Sequence, residues 1–178
     1  GPRRGCIAAP HRSQAGMSEA LRPLASSLTL AQADGLIDAA LLVRKQHQLL
    51  PLAVVVLDSG SQLVAFKRED GCANLRFEIA RGKAAAALGM GMSTRLIRDR
   101  LAARPAFISA LAAAAQGQFI PVPGGVLLLD AAGSAIGAIG ISGDTSDKDE
   151  FCAISAAASV GLACEPEAAD AAWNNSRL

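Results

Sequence analysis

The sequence has few large rings from which to build a core: no tyrosine, one tryptophan and five phenylalanines in 178 residues, so aromatics amount to 3%. Half of it is still apolar, with alanine dominating, so helices must pack closely through small side chains. It also lacks an excess of charge. Seventeen Lys and Arg against 16 Asp and Glu leave a formal net charge of +1, with no basic run interleaved with aromatics, and nucleic acid is not an expected partner. Long hydrophobic runs are missing too: Leu52 to Leu57 and Val126 to Leu129 are strand-sized, far below the roughly 20 residues that span a bilayer. No transmembrane segment or membrane partner is expected. The four cysteines, Cys6, Cys72, Cys152 and Cys164, show neither C-x-x-C spacing nor the density of a disulfide scaffold, which points to a reducing cytoplasm. There are two histidines, His11 and His47, too few for a multi-histidine metal site or a histidine triad with spares.

The length suits one domain with a real core. Residues 1 to 18 carry Arg3, Arg4 and Arg12 without an acid and lack the apolar segment of a secretory signal. Gly1-Pro2 reads as a cleavage scar and Met17 as a candidate natural start. Residues 1–27 are expected to be a flexible tail, and 28–178 a single domain.

Thr29 and Gln32 have capping-box spacing, and the apolar residues from Leu30 to Val43 recur with helical period, predicting a helix over 29–49 that Pro51 stops. Leu52 to Leu57 and Gln62 to Phe66, around Asp58-Ser59-Gly60, predict a hairpin. Asn74 is a candidate cap for a helix to about Leu88, with Gly82 and Ala84 to Ala87 giving it a thin face. Ser93 can cap a shorter helix to Ala102, and Arg104-Pro105 opens another to Ala115, closed by Gly117. Val126 to Asp130 and Ile136 to Ser142 form a second hairpin around Ala131 to Ser134. A last helix is expected from Asp144–Glu150 to about Cys164, buried because it is apolar nearly all round. The pattern apolar run, Asp, Gly-Ser turn, apolar run thus occurs twice. It predicts an α/β fold of the α+β kind, with a central antiparallel sheet of about five strands and helices packed on it.

The spacing of Gly137, Gly140 and Gly143 is not that of a phosphate loop, and Asp144, Asp147, Asp149 and Glu150 crowd the following helix start, where they would repel phosphate. Pro123-Gly124-Gly125 marks a turn or a place where backbone approaches a ligand or subunit. Lys67, Arg68, Glu69 and Asp70 lie between a strand and a helix, where sites commonly occur. Arg81 and Lys83 stand in an otherwise small and apolar helix, either as a snorkelling surface pair or as pocket cations for a carboxylate. His47 is placed to cap the end of its helix or to ligate a haem iron. Cys72, in a loop beside Arg68 and Asp70, is the most plausible exposed thiol, whereas Cys152 and Cys164 read as core residues of the last helix.

Taken together, VVVLDSGSQLVAFKREDG at 54–71, ARGKAAAA at 80–87, PGGVLLLDAAGSAIGAIGISG at 123–143 and DEFCA at 149–153 resemble the GlcG/HbpS family, also called the haem-degrading domain family. The resemblance implies a profilin-like sandwich, assembly into homo-oligomers, and a small-ligand pocket for which haem is the first candidate. Arg68 and Asp70 match the family's R-x-D-G loop, Lys83 its K-A helix, and Gly124-Gly125 its P-G-G turn. The sequence departs where Leu127 replaces a usual proline and where Cys72 replaces a small residue, which puts a thiol beside the implied pocket. Two functional readings follow. In the first, a cytoplasmic, homo-oligomeric protein binds a small ligand such as haem, with Cys72 or His47 as iron ligand and Arg68 or Lys83 pairing the propionates. In the second, an enzyme acts on a small carboxylate or carbonyl metabolite: Lys83 or Arg81 anchors it, Asp70 or Glu78 moves the proton, and the Gly124 and Gly125 amides stabilise an oxyanion. A structural subunit without chemistry is the third alternative.

Overall fold

The computed structural model describes residues 20–178, so most of the expected tail, with Cys6 and His11, lies outside the described residues. Helix α1 (Leu30–Gln46) starts at the capping box: Thr29 Oγ1 accepts from Gln32 N at 3.1 Å, and Gln32 Oε1 from Thr29 N at 2.9 Å. Strands β1 (Ala53–Asp58) and β2 (Leu63–Arg68) form the first hairpin, β3 (Gly125–Leu129) and β4 (Ala135–Ser142) the second. Both turns use the same device. Asp58 Oδ1 accepts from the amides of Gly60 and Gln62 at 2.9 and 3.0 Å, and Asp130 Oδ1 from those of Ala132 and Ser134, both at 2.9 Å. Each carboxylate supplies the local acceptor that closes its turn.

The two hairpins join through β1 and β4, giving an antiparallel sheet of order β2-β1-β4-β3-β5, in which β5 is the short strand Ala163–Glu165. Alternation then sorts the side chains. Val54, Val56, Val126, Leu128, Ile139 and Ile141 face α1 and the last helix α5 (Ser146–Ser159). Ala53, Val55, Leu57, Leu127 and Ala138 face α2 (Arg76–Met90). The short helices α3 (Thr94–Leu101) and α4 (Pro105–Ala114) pack outside α2 through Ala86, Ile97, Leu101 and Phe119. The sheet is therefore the middle of three layers.

Helix α2 touches β3 and β4 through its own backbone. A Cβ at Gly140 would overlap the carbonyl oxygen of Ala80, and one at Gly125 would overlap that of Lys83. These two glycines face each other in register.

Three boundaries differ from the sequence expectation. Helix α2 begins at Arg76 behind Leu75, which makes no side-chain cap, so Asn74 does not start it. Helix α1 ends three residues early, where His47 is its C-cap and Gln48 takes a positive φ of 54°. The last helix stops at Ser159, because Gly161 turns the chain at φ 73°. Cys164 consequently lies in β5, half-buried, and only Cys152 is in the helical core.

Candidate functional site

Lys83 is 1% exposed. The thin Ala/Gly face of α2 brings it down onto the sheet end, where its ammonium donates to the Ile141 carbonyl at 2.9 Å and to Asp149 Oδ2 at 3.1 Å. Gly124, with φ 124°, makes room for it: a Cβ there would lie 2.8 Å from Lys83 Nζ. Asp149 is also 1% exposed, and its other oxygen accepts from Asp144 N at 3.0 Å. Burial raises the Asp149 carboxyl to about 6, against the opposing pull of Lys83. Burial lowers Lys83, with Asp149 resisting. This pair ties α2, on one face of the sheet, to the start of α5 on the other. Lys83 thus neither snorkels nor faces an open pocket; its carboxylate partner is within the protein.

Around the pair, Arg76 Nη1 donates to Ser142 Oγ at 3.0 Å. Thr94 Oγ1 accepts from Gly125 N at 2.8 Å. Glu150 is held by Arg95, whose Nε lies 2.9 and 3.1 Å from its two oxygens, and burial raises its carboxyl. Arg68 shares a row of the sheet with Ala53 and Ser142. Cys72 packs beside this end of the sheet, half-buried; burial raises its thiol while Arg76 and Arg68 pull it down.

The expected site residues divide between surface and interior. Lys83, Gly124 and Gly125 meet. Asp70 and Glu78 are exposed, and no hydrogen bond or ion pair joins either to Lys83 among the described residues. Glu78 and Lys83 are five residues apart on α2, about 140° round the helix, so they present to different sides. Arg81 is half-buried, with a buried Nε that has no hydrogen-bond partner. Asp149, Arg76 and Ser142 were missed as a group. The available signal was an acidic DKDE run opening a helix that is otherwise buried, since acids in such a place need partners.

His47 lies on the opposite face of the sheet from Cys72, at the end of α1. Its ring meets Phe151 and Trp173 edge-on, with centroids 5.0 and 5.5 Å away, and those two rings stack on each other at 3.6 Å. His47 opens onto a cleft of about 310 Å³ lined by Leu49, Leu50, Lys148, Asn174 and Arg177, among others. Among the described residues no hydrogen bond engages its ring nitrogens. Cys72 and His47 therefore cannot ligate one iron together.

The model of the HbpS-like family, haem-degrading protein HbpS-like, matches residues 28–158. No curated protein matches the chain at a significant level. Among solved structures, the PduOC:heme complex superposes with a TM-score of 0.68 at 26% identity, covering 76% of this chain and 96% of that one. The HbpS crystal structure gives 0.64 at 25% identity, covering 86% and 98%. Klebsiella pneumoniae protein ORFY gives 0.68 at 23% identity, covering 79% and 94%, a likeness of fold.

Proposed function

Because the chain belongs to the HbpS-like haem-degrading protein family, we propose that it binds haem, and that the cleft beside His47 holds it. The observation that carries the choice of cleft is the coincidence there of an imidazole free of hydrogen bonds, an apolar wall of Leu49 and Leu50, and the cations Lys148 and Arg177. These residues suit the group in kind: imidazole ligates haem iron, and Lys or Arg pairs its propionates. The relative solved as a haem complex supports the ligand. Cys72 is the weaker candidate, because burial raises its thiol and so disfavours the thiolate that iron prefers. Lys83, satisfied inside the fold, is not assigned to the propionates in this reading. Bound in the cleft, haem would supply a redox-active iron; His47 would orient it, the leucines would exclude water and the two cations would hold its carboxylates.

Haemin titration of the purified chain is expected to give a saturable Soret shift that is lost in His47→Ala and retained in Cys72→Ala. Absence of any shift would end the haem reading. Loss in Cys72→Ala alone would move the site to the other face of the sheet.

A further inference from the structure

Residues 166–178 lie past residue 158, where the family match ends. They leave β5 with Pro166 buried and reach the seam between α1 and α5. There Trp173 lies flat on Phe151 of α5, with 1° between the ring planes, and edge-on to His47 at the end of α1. A little further on, Ser176 Oγ and Thr145 Oγ1 are 2.6 Å apart, Thr145 being the N-cap of α5. Among the described residues, the other hydrogen bonds of 170–178 stay inside the segment: Ala172 and Trp173 donate back to Asp170, Asn175 N to Ala172 O, Ser176 Oγ to Trp173 O, and Arg177 to the carbonyls of Asn174 and Ser176. The Trp173 ring contacts and one hydroxyl pair thus fasten a segment that is otherwise mostly exposed. A stretch with so few ties opens locally long before the fold does.

The same segment is one wall of the His47 cleft. Asn174, Arg177 and Leu178 line it together with Leu49, Leu50 and Lys148 from the body of the protein. At about 310 Å³ the cleft lies near the floor of the range for small-molecule pockets, about 300–1,000 Å³. A tetrapyrrole, with four pyrrole rings and two propionates, is a large member of that class, so the wall has to yield before one is enclosed. Resting on the haem reading of this cleft, we infer that residues 170–178 are an autoinhibitory strap, latched by Trp173 on Phe151 and by Ser176 on Thr145, and that the ligand binds the unlatched state. Latching then lowers the apparent affinity in proportion to the fraction of molecules that are open. Arg177 has the side-chain length to reach a carboxylate at the rim from the opened strap.

Haemin would be titrated into the full chain and into Ser176→Ala, Trp173→Ala, Trp173→Phe and Asn175→Ala, with the Soret band as readout. Ser176→Ala should bind haemin about fivefold more tightly, the weight of one hydrogen bond, and Trp173→Ala about tenfold or more, in both cases through faster association in stopped flow. Trp173→Phe keeps a ring on Phe151 and should stay near the parent. So should Asn175→Ala, whose exposed side chain belongs to neither the latch nor the lining. A wall that merely supports the ligand gives the opposite sign, since removing its anchors weakens binding. Trp173 is the chain's single tryptophan, so it reports the latch with no ligand present: acrylamide should quench it faster in Ser176→Ala than in the parent. If haemin binds the parent, and both latch variants bind it equally or more weakly, the strap inference is overturned and the haem reading stands. If none of these proteins shows a saturable Soret shift, the haem reading falls and the strap inference with it.

Discussion

Lys83→Met should destabilise the protein by about 3–5 kcal/mol, the usual effect of removing one partner from a buried ion pair. Asp149 would keep its hydrogen bond from Asp144 N but lose the side-chain hydrogen bond from Lys83, its only one among the described residues, at 1% exposure. The pH dependence gives the distinguishing signature. Asp149 titrates in the folded protein at about 6, above its ordinary 3.8, so its contribution is fully present below about pH 4 and is lost as pH rises through 6. Lys83 is lowered from 10.5, so its contribution is present above that value and is lost as pH falls. Both directions say that the charged pair is held against its own desolvation. In Lys83→Met the stranded carboxyl can escape by protonation, so the loss should be smaller at pH 5 than at pH 8. Lys83→Met combined with Asp149→Asn should recover most of that loss, because the pair then leaves no buried charge while the side-chain oxygen of the introduced asparagine still accepts from Asp144 N. Urea unfolding of the three proteins at the two pH values measures this. Equal losses in the single and double variants, independent of pH, would show that the pair is not what joins the layers.

Gly140→Ala should be nearly as damaging, by about 1–3 kcal/mol or more, because the added methyl meets backbone rather than a side chain that can rotate away. Its Cβ would overlap the Ala80 carbonyl oxygen and come within 3.0 Å of the Ala84 Cβ. Helix α2 must then lift off β4, and Lys83 lifts with it. Gly89 is the internal control: it lies in the same helix without a positive φ, and a Cβ there would meet nothing within 4 Å. Gly89→Ala should be neutral or stabilise by up to about 1 kcal/mol, as expected for a helix interior. Thermal melts of the two variants separate the effects; similar shifts would mean that α2 does not rest on the sheet through glycine.

Local chemistry made much of the fold legible. Thr29 with Gln32, Ser93, and the repeated Asp-turn pattern each specify a structure within a few residues, and all three form as the spacing implies. β5 was not legible as a strand, since three residues carry almost no period and Cys164 continued an apolar helix pattern. Gly161 was the overlooked stop signal. At the candidate site, composition drew attention to Lys83 and Gly124, but not to the partner 66 residues away. Lys148 was hidden by its acidic neighbours, whose sum suggested only a helix start that repels phosphate. Neither long-range pairing nor the direction of a lysine's side chain is encoded in local spacing.

The sheet order also bears on the route by which the chain folds. Each hairpin closes over a short turn, but the β1–β4 seam pairs Val56 with Ile139 across everything contributed by α2, α3 and α4. Loop-closure entropy must be met before that seam is rewarded, so the two hairpins can form early while their docking limits the rate. Val56→Ala should therefore slow refolding more than a substitution in the exposed turn at Ser59, as stopped-flow chevrons of the two variants would register.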